Sequence, residues 1–337
     1  MIEPIKKFVI KDYSTQSGRQ LDLTIQYRTY GVLSSDRSNA VLIPSFYGGN
    51  DVDVQYLFAP GRALDPEKHF IIAVNMFGNG YSTSPSNIKN EYSGTEFPTI
   101  TIYDNVMCQH LLITRGLKIP KLRLVTGFSL GAAQAMQWGA LFPGMVNALL
   151  PVCGAARVAP HNKLFIESAI QVLKQIPDFY HGNYTSPPLD AIDAFGHVYA
   201  AWLFSQDFFA QKVYTSLGLS SPEDVVQFTQ TYFQKSDAND LIAMANTWIA
   251  FDISKNTKFK GDFNKALGAI TPKTIIMPCD TDLYFRVSDN AREVLAMPDA
   301  RLTPIRSDWG HAAGFGMNAN DNDTIDEAIE ELLEQKL

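Results

Sequence analysis

A chain of 337 residues that is 46% hydrophobic and 19% charged can bury a large core, which excludes a disordered chain and fits one large domain or one domain carrying an insertion. Its net charge of −7 and pI near 5.4 argue against nucleic acid or an anionic membrane as partner, since both favour a basic surface, and leave small molecules as clients. Three cysteines, Cys108, Cys153 and Cys279, are too few and too scattered for a disulfide framework or a zinc cluster and point to a reducing cytoplasm.

The N-terminal stretch Met1 to Tyr13 mixes Glu3, Lys6, Lys7, Lys11 and Asp12 into its apolar residues, so it offers no signal-peptide core. No apolar run is long enough to span a bilayer. "LDLTIQYRTYG" (Leu21 to Gly31) alternates as a half-buried strand does, whereas "AVLIPSF" (Ala40 to Phe46) and "HFIIAVNM" (His69 to Met76) are continuous apolar runs suited to strands buried on both faces. "TIYDNVMCQHLLITRGLK" (Thr101 to Lys118) has a helical period, and "LRLVTGF" follows as another buried strand. Strand, helix, strand implies a parallel sheet.

From about His161 to about Ser254 helical patterns replace the strands. "NKLFIESAIQVLKQI", "AIDAFGHVYAAWLFSQDFFAQKVYTSLG" and "SPEDVVQFTQTYFQKS" are the clearest, the last opening with Ser221 as N-cap and Pro222 at the first helical position. The block reads as a helical lid, 158–264, inserted into a core of 1–157 and 265–337. Its aromatics Phe195, Tyr199, Trp202, Phe204, Phe208 and Phe209 suit a helical core, with a pocket or subunit interface as the alternative. Beyond it, "PKTIIMPCDTDLYF" is a strand running into polar residues, "DNAREVLAMP" a helix, and "ARLTPIRSDWGH" a weaker strand and loop. "DTIDEAIEELLEQKL" closes the chain as an amphipathic helix with Asp323 as its expected N-cap.

The chemistry centres on "TGFSLGAAQ". Ser129 stands between Gly127 and Gly131 where a β-branched run meets a helical pattern, the arrangement of a nucleophile on a strained strand-to-helix elbow; a helix cap is the plainer alternative. A serine hydroxyl needs a base and an orienting carboxylate. In an α/β-hydrolase these follow in the order serine, acid, histidine at the ends of later strands. Asp282 lies past "TIIMPC" and His311 in the "SDWGH" loop. Asp280 competes with Asp282, which is favoured as one step further into its loop. Of the other histidines, His69 and His110 read as surface or satisfied positions, while His161, His181 and His197 belong to the lid. Oxyanion donors are expected from the backbone N–H of Leu130 and from the loop "LIPSFYGGN", with Phe46 preferred and Tyr47 next. No His, Cys and carboxylate set has metal-ligand spacing, and "GNGYS" reads as a loop rather than a dinucleotide fingerprint, so no cofactor or metal is expected.

"FIIAVNMFGNGYSTSPSN", "FPTITIYDNVMCQHLLITRGL", "TGFSLGAAQAMQWGALFPGMV" and "DTDLYF" followed by "GH" together resemble the homoserine O-acetyltransferase family, from about Asp22 to the final helix. The resemblance implies an α/β-hydrolase fold with a helical lid, often a homodimer packed through lid helices, and transfer of an acetyl group from acetyl-CoA through the serine to an alcohol. On matching positions it implies a triad of Ser129, Asp282 and His311 and oxyanion donors at Phe46 and Leu130. The chain departs from the family at two places: Ala312 stands where an aspartate follows the histidine, and "GHVYAAWLFS" lacks the lid arginine. Without those charges a zwitterionic amino acid loses its partners. The expected activity is therefore serine-dependent hydrolysis of a fairly apolar acyl substrate. The alternatives are an acyl-CoA-dependent transferase acting on an alcohol other than homoserine, and a non-catalytic binding protein.

Overall fold

The short β-branched runs assemble into one eight-stranded sheet. In the computed structural model, which describes residues 3–334, these are β1 (Lys6–Ser14), β2 (Gln20–Tyr30), β3 (Ala40–Pro44), β4 (Phe70–Val74), β5 (Leu122–Phe128), β6 (Val146–Val152), β7 (Lys273–Ile276) and β8 (Ala300–Leu302). The strand order is β1-β2-β4-β3-β5-β6-β7-β8. β1 and β2 run antiparallel to their neighbours and the other pairings are parallel. Every residue of β3 is buried, as a strand covered on both faces requires.

Two strands carry weaker signals than the rest. β1 lies at the edge with Ile10 as its single buried residue, and its pairing slips between Ile10 and Tyr13, where Asp12 takes φ +50°. A lysine-bearing edge strand shows no apolar alternation. β6 contains Pro151, which has no N–H to donate. The ladder continues through its carbonyl, which accepts from Met277 N at 3.0 Å.

The helix expected over Thr101 to Lys118 is α1 (Ile102–Leu111), extended by a wider turn over Leu112–Gly116 in which Leu117 N reaches Leu112 O at 2.8 Å. α2 (Leu130–Leu141) follows β5 directly, and all of its residues but the last are buried. Between β6 and β7 lie α3 (Pro160–Gln175), α4 (Leu189–Leu203), α5 (Gln206–Ala210), α6 (Pro222–Phe233), α7 (Ala238–Ala250) and α8 (Phe263–Gly268). The segments preceding α3 and following α7 run side by side, through an isolated antiparallel backbone β-bridge between Arg157 and Asp252, with Ile253 N on Ala156 O at 3.0 Å and Val158 N on Phe251 O at 3.1 Å.

Ser221 caps α6 as expected, its Oγ accepting from Asp224 N while the Asp224 carboxylate accepts from Ser221 N, a reciprocal box worth about 1 kcal/mol. The long pattern after Ala191 is not one helix. Ser205 interrupts it, its Oγ accepting from Phe208 N and donating to Asp308 O, so that a hydroxyl takes over the backbone at α5. Phe195, Tyr199, Phe204 and Phe208 are buried, and Trp202 and Phe209 partly so.

α9 (Val287–Val294) and α10 (Ala319–Leu333) complete the fold. Asp323 is not the N-cap of α10. Asn318 is, its side chain accepting from Asn320 N at 3.2 Å, and the helix gains a polar first turn that the apolar stripe does not reveal. Residues 335–337 of the predicted closing helix, like 1–2 of the N-terminal stretch, lie outside the described residues. No described helix is long and apolar enough to cross a membrane.

Candidate active site

Ser129 occupies the junction of β5 and α2 with φ +56° and ψ −118°, a conformation that costs a non-glycine residue about 1–3 kcal/mol. Close backbone packing holds it there. A Cβ on Gly127 would stand 2.6 Å from the Gly131 carbonyl carbon, and one on Gly131 would stand 2.7 Å from the Pro44 carbonyl oxygen. The Ser129 N–H donates to Val152 O at 3.0 Å. Gly154, which the sequence reading passed over, completes the nest: a Cβ there would lie 3.0 Å from Ser129 O and 2.4 Å from the Ala132 methyl. A glycine just past the strand beside the elbow was the available signal.

The structure brings Ser129, His311 and Asp282 together. His311 Nε2 lies 2.9 Å from Ser129 Oγ, and His311 Nδ1 lies 2.7 Å from Asp282 Oδ2. All three side chains are buried. The other carboxylate oxygen of Asp282 accepts from Tyr284 N at 2.6 Å and Phe285 N at 3.2 Å, which fixes its plane. Asp280 faces away, accepting from Arg306 Nη1 and Ser307 N. Between the two acids, Thr281 Oγ1 donates to Ser307 O at 2.6 Å and accepts from Gly310 N at 3.1 Å, tying the acid loop to the histidine loop. Phe128, Tyr284 and Phe285 pack around the imidazole. Gly310, at φ +66°, lets the histidine loop pass against the α4–α5 junction, where a Cβ would meet Ser205 N at 2.6 Å. Cys153 sits nearby, its thiol pushed well up by burial and by the Asp282 charge, and so stays protonated.

The backbone N–H groups of Leu130 and Phe46 donate no hydrogen bond among the described residues. The first belongs to the N-terminus of α2, where the helix dipole favours negative charge, and the second to the loop after β3. That loop is braced by buried polar groups. Ser45 N donates to Val74 O, and Ser45 Oγ accepts from Met76 N. Asp51 pairs with Arg28 and exchanges hydrogen bonds with Asn75 at 2.8 and 2.9 Å. Asn79, from "GNGYS", donates to Asn75 and Gly49 O, so this segment serves as a structural loop.

The hydroxyl of Ser129 opens on a tight cavity of about 30 Å³ lined by Phe46, Tyr47, Phe128, Tyr199, Leu203, Phe228, Thr229, Tyr232, Phe233, His311 and Phe315. A water needs about 10–15 Å³ of such space, so the cavity takes a group of two or three heavy atoms. No Asp, Glu, Lys or Arg is among these lining residues. Burial pushes the Tyr47 and Tyr199 phenols up, so both remain neutral donors. His161, His181 and His197 do not line it, and His69 and His110 lie elsewhere, the latter stacked on Phe142. A roomier groove of about 690 Å³ beside Gln171, Tyr180 and Asn239 is lined by His181 and holds none of Ser129, Asp282 and His311.

Residues 41–313, from β3 to just past His311, match the family model of the alpha/beta hydrolase fold. A probable esterase of Corynebacterium glutamicum is 36% identical over 318 residues, covering 93% of this chain and 90% of that protein. An ethyl acetate hydrolase of Pseudomonas veronii is 36% identical over 308 residues, covering 90% and 88%. The solved structure of the acetyl esterase MekB superposes with a TM-score of 0.96 at 34% identity, covering 98% and 97%. Homoserine O-acetyltransferases match too, that of Nostoc punctiforme at 27% over 317 residues, covering 89% of each chain. The eight-stranded, mostly parallel sheet, the elbow at Ser129 and these likenesses agree: the chain belongs to the α/β-hydrolase fold family.

Proposed function

We propose that this ester hydrolase acts on small, uncharged esters, acetyl esters first among them, through an acyl-enzyme on Ser129. His311 Nε2 takes the Ser129 proton as Oγ attacks the carbonyl carbon, and Asp282 holds the proton on Nδ1 and offsets the charge of the imidazolium. The tetrahedral oxygen receives hydrogen bonds from Phe46 N–H and Leu130 N–H, each worth about 3 kcal/mol when preorganised. The imidazolium returns its proton to the leaving alkoxide, which departs as an alcohol. A water, deprotonated by the same nitrogen, then attacks the acyl carbon and releases the acid and Ser129.

The observation that carries this reading is the unbroken hydrogen-bonded chain from Ser129 through His311 to Asp282 at the mouth of a small cavity with no charged wall. The two esterase relatives, at 36% identity, stand nearer than the acetyltransferase at 27%. Ala312 supports the same choice: it is fully buried, so the place of the family's aspartate offers a substrate ammonium nothing. An acyl-CoA-dependent transfer to another alcohol would share the first half-reaction and differ only in the acceptor. The chemistry asks for no cofactor or metal, and the three free, buried thiols suit a cytoplasmic setting. A homodimer packed through the helical insertion, whose Leu164, Tyr180 and Leu189 are exposed, belongs to the same proposal.

Initial rates on p-nitrophenyl acetate, butyrate and octanoate, with Ser129→Ala as control, test the reading. Acetate turned over best and an inactive variant are the expected results. Full activity in Ser129→Ala, or release of CoA from acetyl-CoA only when an alcohol is added, would refute it. Sedimentation analysis reads the assembly state.

A further inference from the structure

Building on the acyl-enzyme reading above, we infer that Gln134 is a positioning residue of the oxyanion hole, aiming the Phe46 N–H through the carbonyl on the other side of the same peptide. Gln134 lies on α2 one turn beyond Ser129 and is fully buried. Its Nε2 donates to Ser45 O at 2.9 Å and to Leu130 O at 3.2 Å. Ser45 O and Phe46 N belong to one planar trans peptide, in which the C=O and N–H bonds point in opposite directions. A donor that holds the carbonyl toward α2 therefore turns the N–H away from Gln134, toward the space over Ser129.

Two further groups hold the amide of Gln134 in that sense. Trp138 Nε1 donates to Gln109 Oε1 at 2.8 Å, and Gln109 Nε2 donates to Gln134 Oε1 at 2.6 Å. The indole is a donor only and the Ser45 carbonyl an acceptor only, so each amide between them has a single consistent orientation. Gln109 and Trp138 are buried, and no solvent competes for the relay. Its two ends also tie the two proposed donors to one another. Gln134 rides on the helix whose first N–H is that of Leu130, and it grips the peptide whose N–H is that of Phe46. A glutamine that merely satisfied a stray carbonyl would not need a second buried glutamine and an indole to orient it.

The test is steady-state kinetics on p-nitrophenyl acetate together with inhibition by a trifluoromethyl ketone, whose adduct with a serine is a tetrahedral oxyanion. In Gln134→Met, kcat is expected to fall about tenfold to a hundredfold, less than full loss of an oxyanion donor, with KM within about threefold. The ketone Ki should rise by the factor by which kcat/KM falls. Gln134→Glu provides a second readout if the methionine variant does not fold. A protonated carboxyl there can both accept from Gln109 and donate to Ser45 O, and an ionised one can only accept. The ratio of its kcat to that of the parent should therefore fall as pH rises. An unchanged kcat and Ki in Gln134→Met, or a ratio for Gln134→Glu that is flat with pH, would overturn the inference while inactivity of Ser129→Ala keeps the acyl-enzyme reading. Activity in Ser129→Ala would overturn both.

Discussion

Replacing Asp282 by asparagine tests the geometry of the site at one atom. One carboxylate oxygen accepts from Tyr284 N and Phe285 N, so an asparagine must place its own oxygen there and turn its NH₂ toward His311 Nδ1. The amide then donates to Nδ1, the ring proton moves to Nε2, and the nitrogen facing Ser129 at 2.9 Å becomes a donor that cannot take the serine proton. Restoring the working tautomer breaks a buried hydrogen bond and sets two N–H groups against each other, about 1–3 kcal/mol. Loss of the carboxylate removes the attraction for the imidazolium, about 4 kcal/mol for close charges at an effective dielectric of 20. A total of about 5–7 kcal/mol corresponds to about 10⁴ to 10⁵ in kcat, its lower end being the size seen for the same change in a serine protease triad. The assay is kcat and KM on p-nitrophenyl acetate, with circular dichroism melting to establish folding. Asp280→Asn is the control and should stay within about threefold, because it loses only an exposed ion pair with Arg306. A folded Asp282→Asn variant within tenfold of the parent, or a larger loss in Asp280→Asn, would refute the reasoning.

Two further outcomes follow from packing and burial. Gly131→Ala places a methyl 2.7 Å from Pro44 O, a backbone atom that cannot swing aside, so α2 must lift from the end of β3. Urea melts should show a loss of about 1–3 kcal/mol, and kcat should fall by more than KM changes, since Leu130 N–H moves with the helix. Glu293 is buried, accepting from Ala156 N and Asn290 Nδ2, and burial raises its carboxyl from 4.5 to about 7. The folded protein therefore binds this proton more tightly than the unfolded chain, and the stability it confers is full below pH 4.5 and lost as pH rises through about 7. Melting of Glu293→Gln against the parent should show the parent losing ground between these pH values, by at most about 3 kcal/mol. A stability difference that does not change with pH would show that Glu293 stays ionised.

What the sequence discloses and what it hides divide along a physical line. The order serine, acid, histidine is legible because Ser129 and Asp282 follow strands whose apolar runs can be read, His311 lies in the loop before the closing helix, and a parallel sheet gathers the carboxyl ends of its strands at one edge. The choice of Asp282 over Asp280 rested on one step along a loop. Its cause is visible only in three dimensions, where Tyr284 N and Phe285 N claim one oxygen of Asp282 while Arg306 claims Asp280. β1 stayed hidden because an edge strand has only one residue to bury, and the start of α10 because its first turn is polar. Least legible were the contacts that aim backbone groups. Gln134, Gln109 and Trp138 sit in "GAAQAMQWG" and "MCQH" as ordinary helical residues, and Gly154 follows a strand as many glycines do. Such groups act on peptides far off in the chain, 89 residues away for Gln134 and Ser45, and no local pattern encodes a partner at that distance. An apolar stripe places an element, and a hydroxyl, an imidazole and a carboxylate announce a chemistry. The direction in which a peptide N–H points is decided by whatever holds the carbonyl across the bond. In this chain that is a buried glutamine, so the precision of the site resides in residues with no chemical signature of their own.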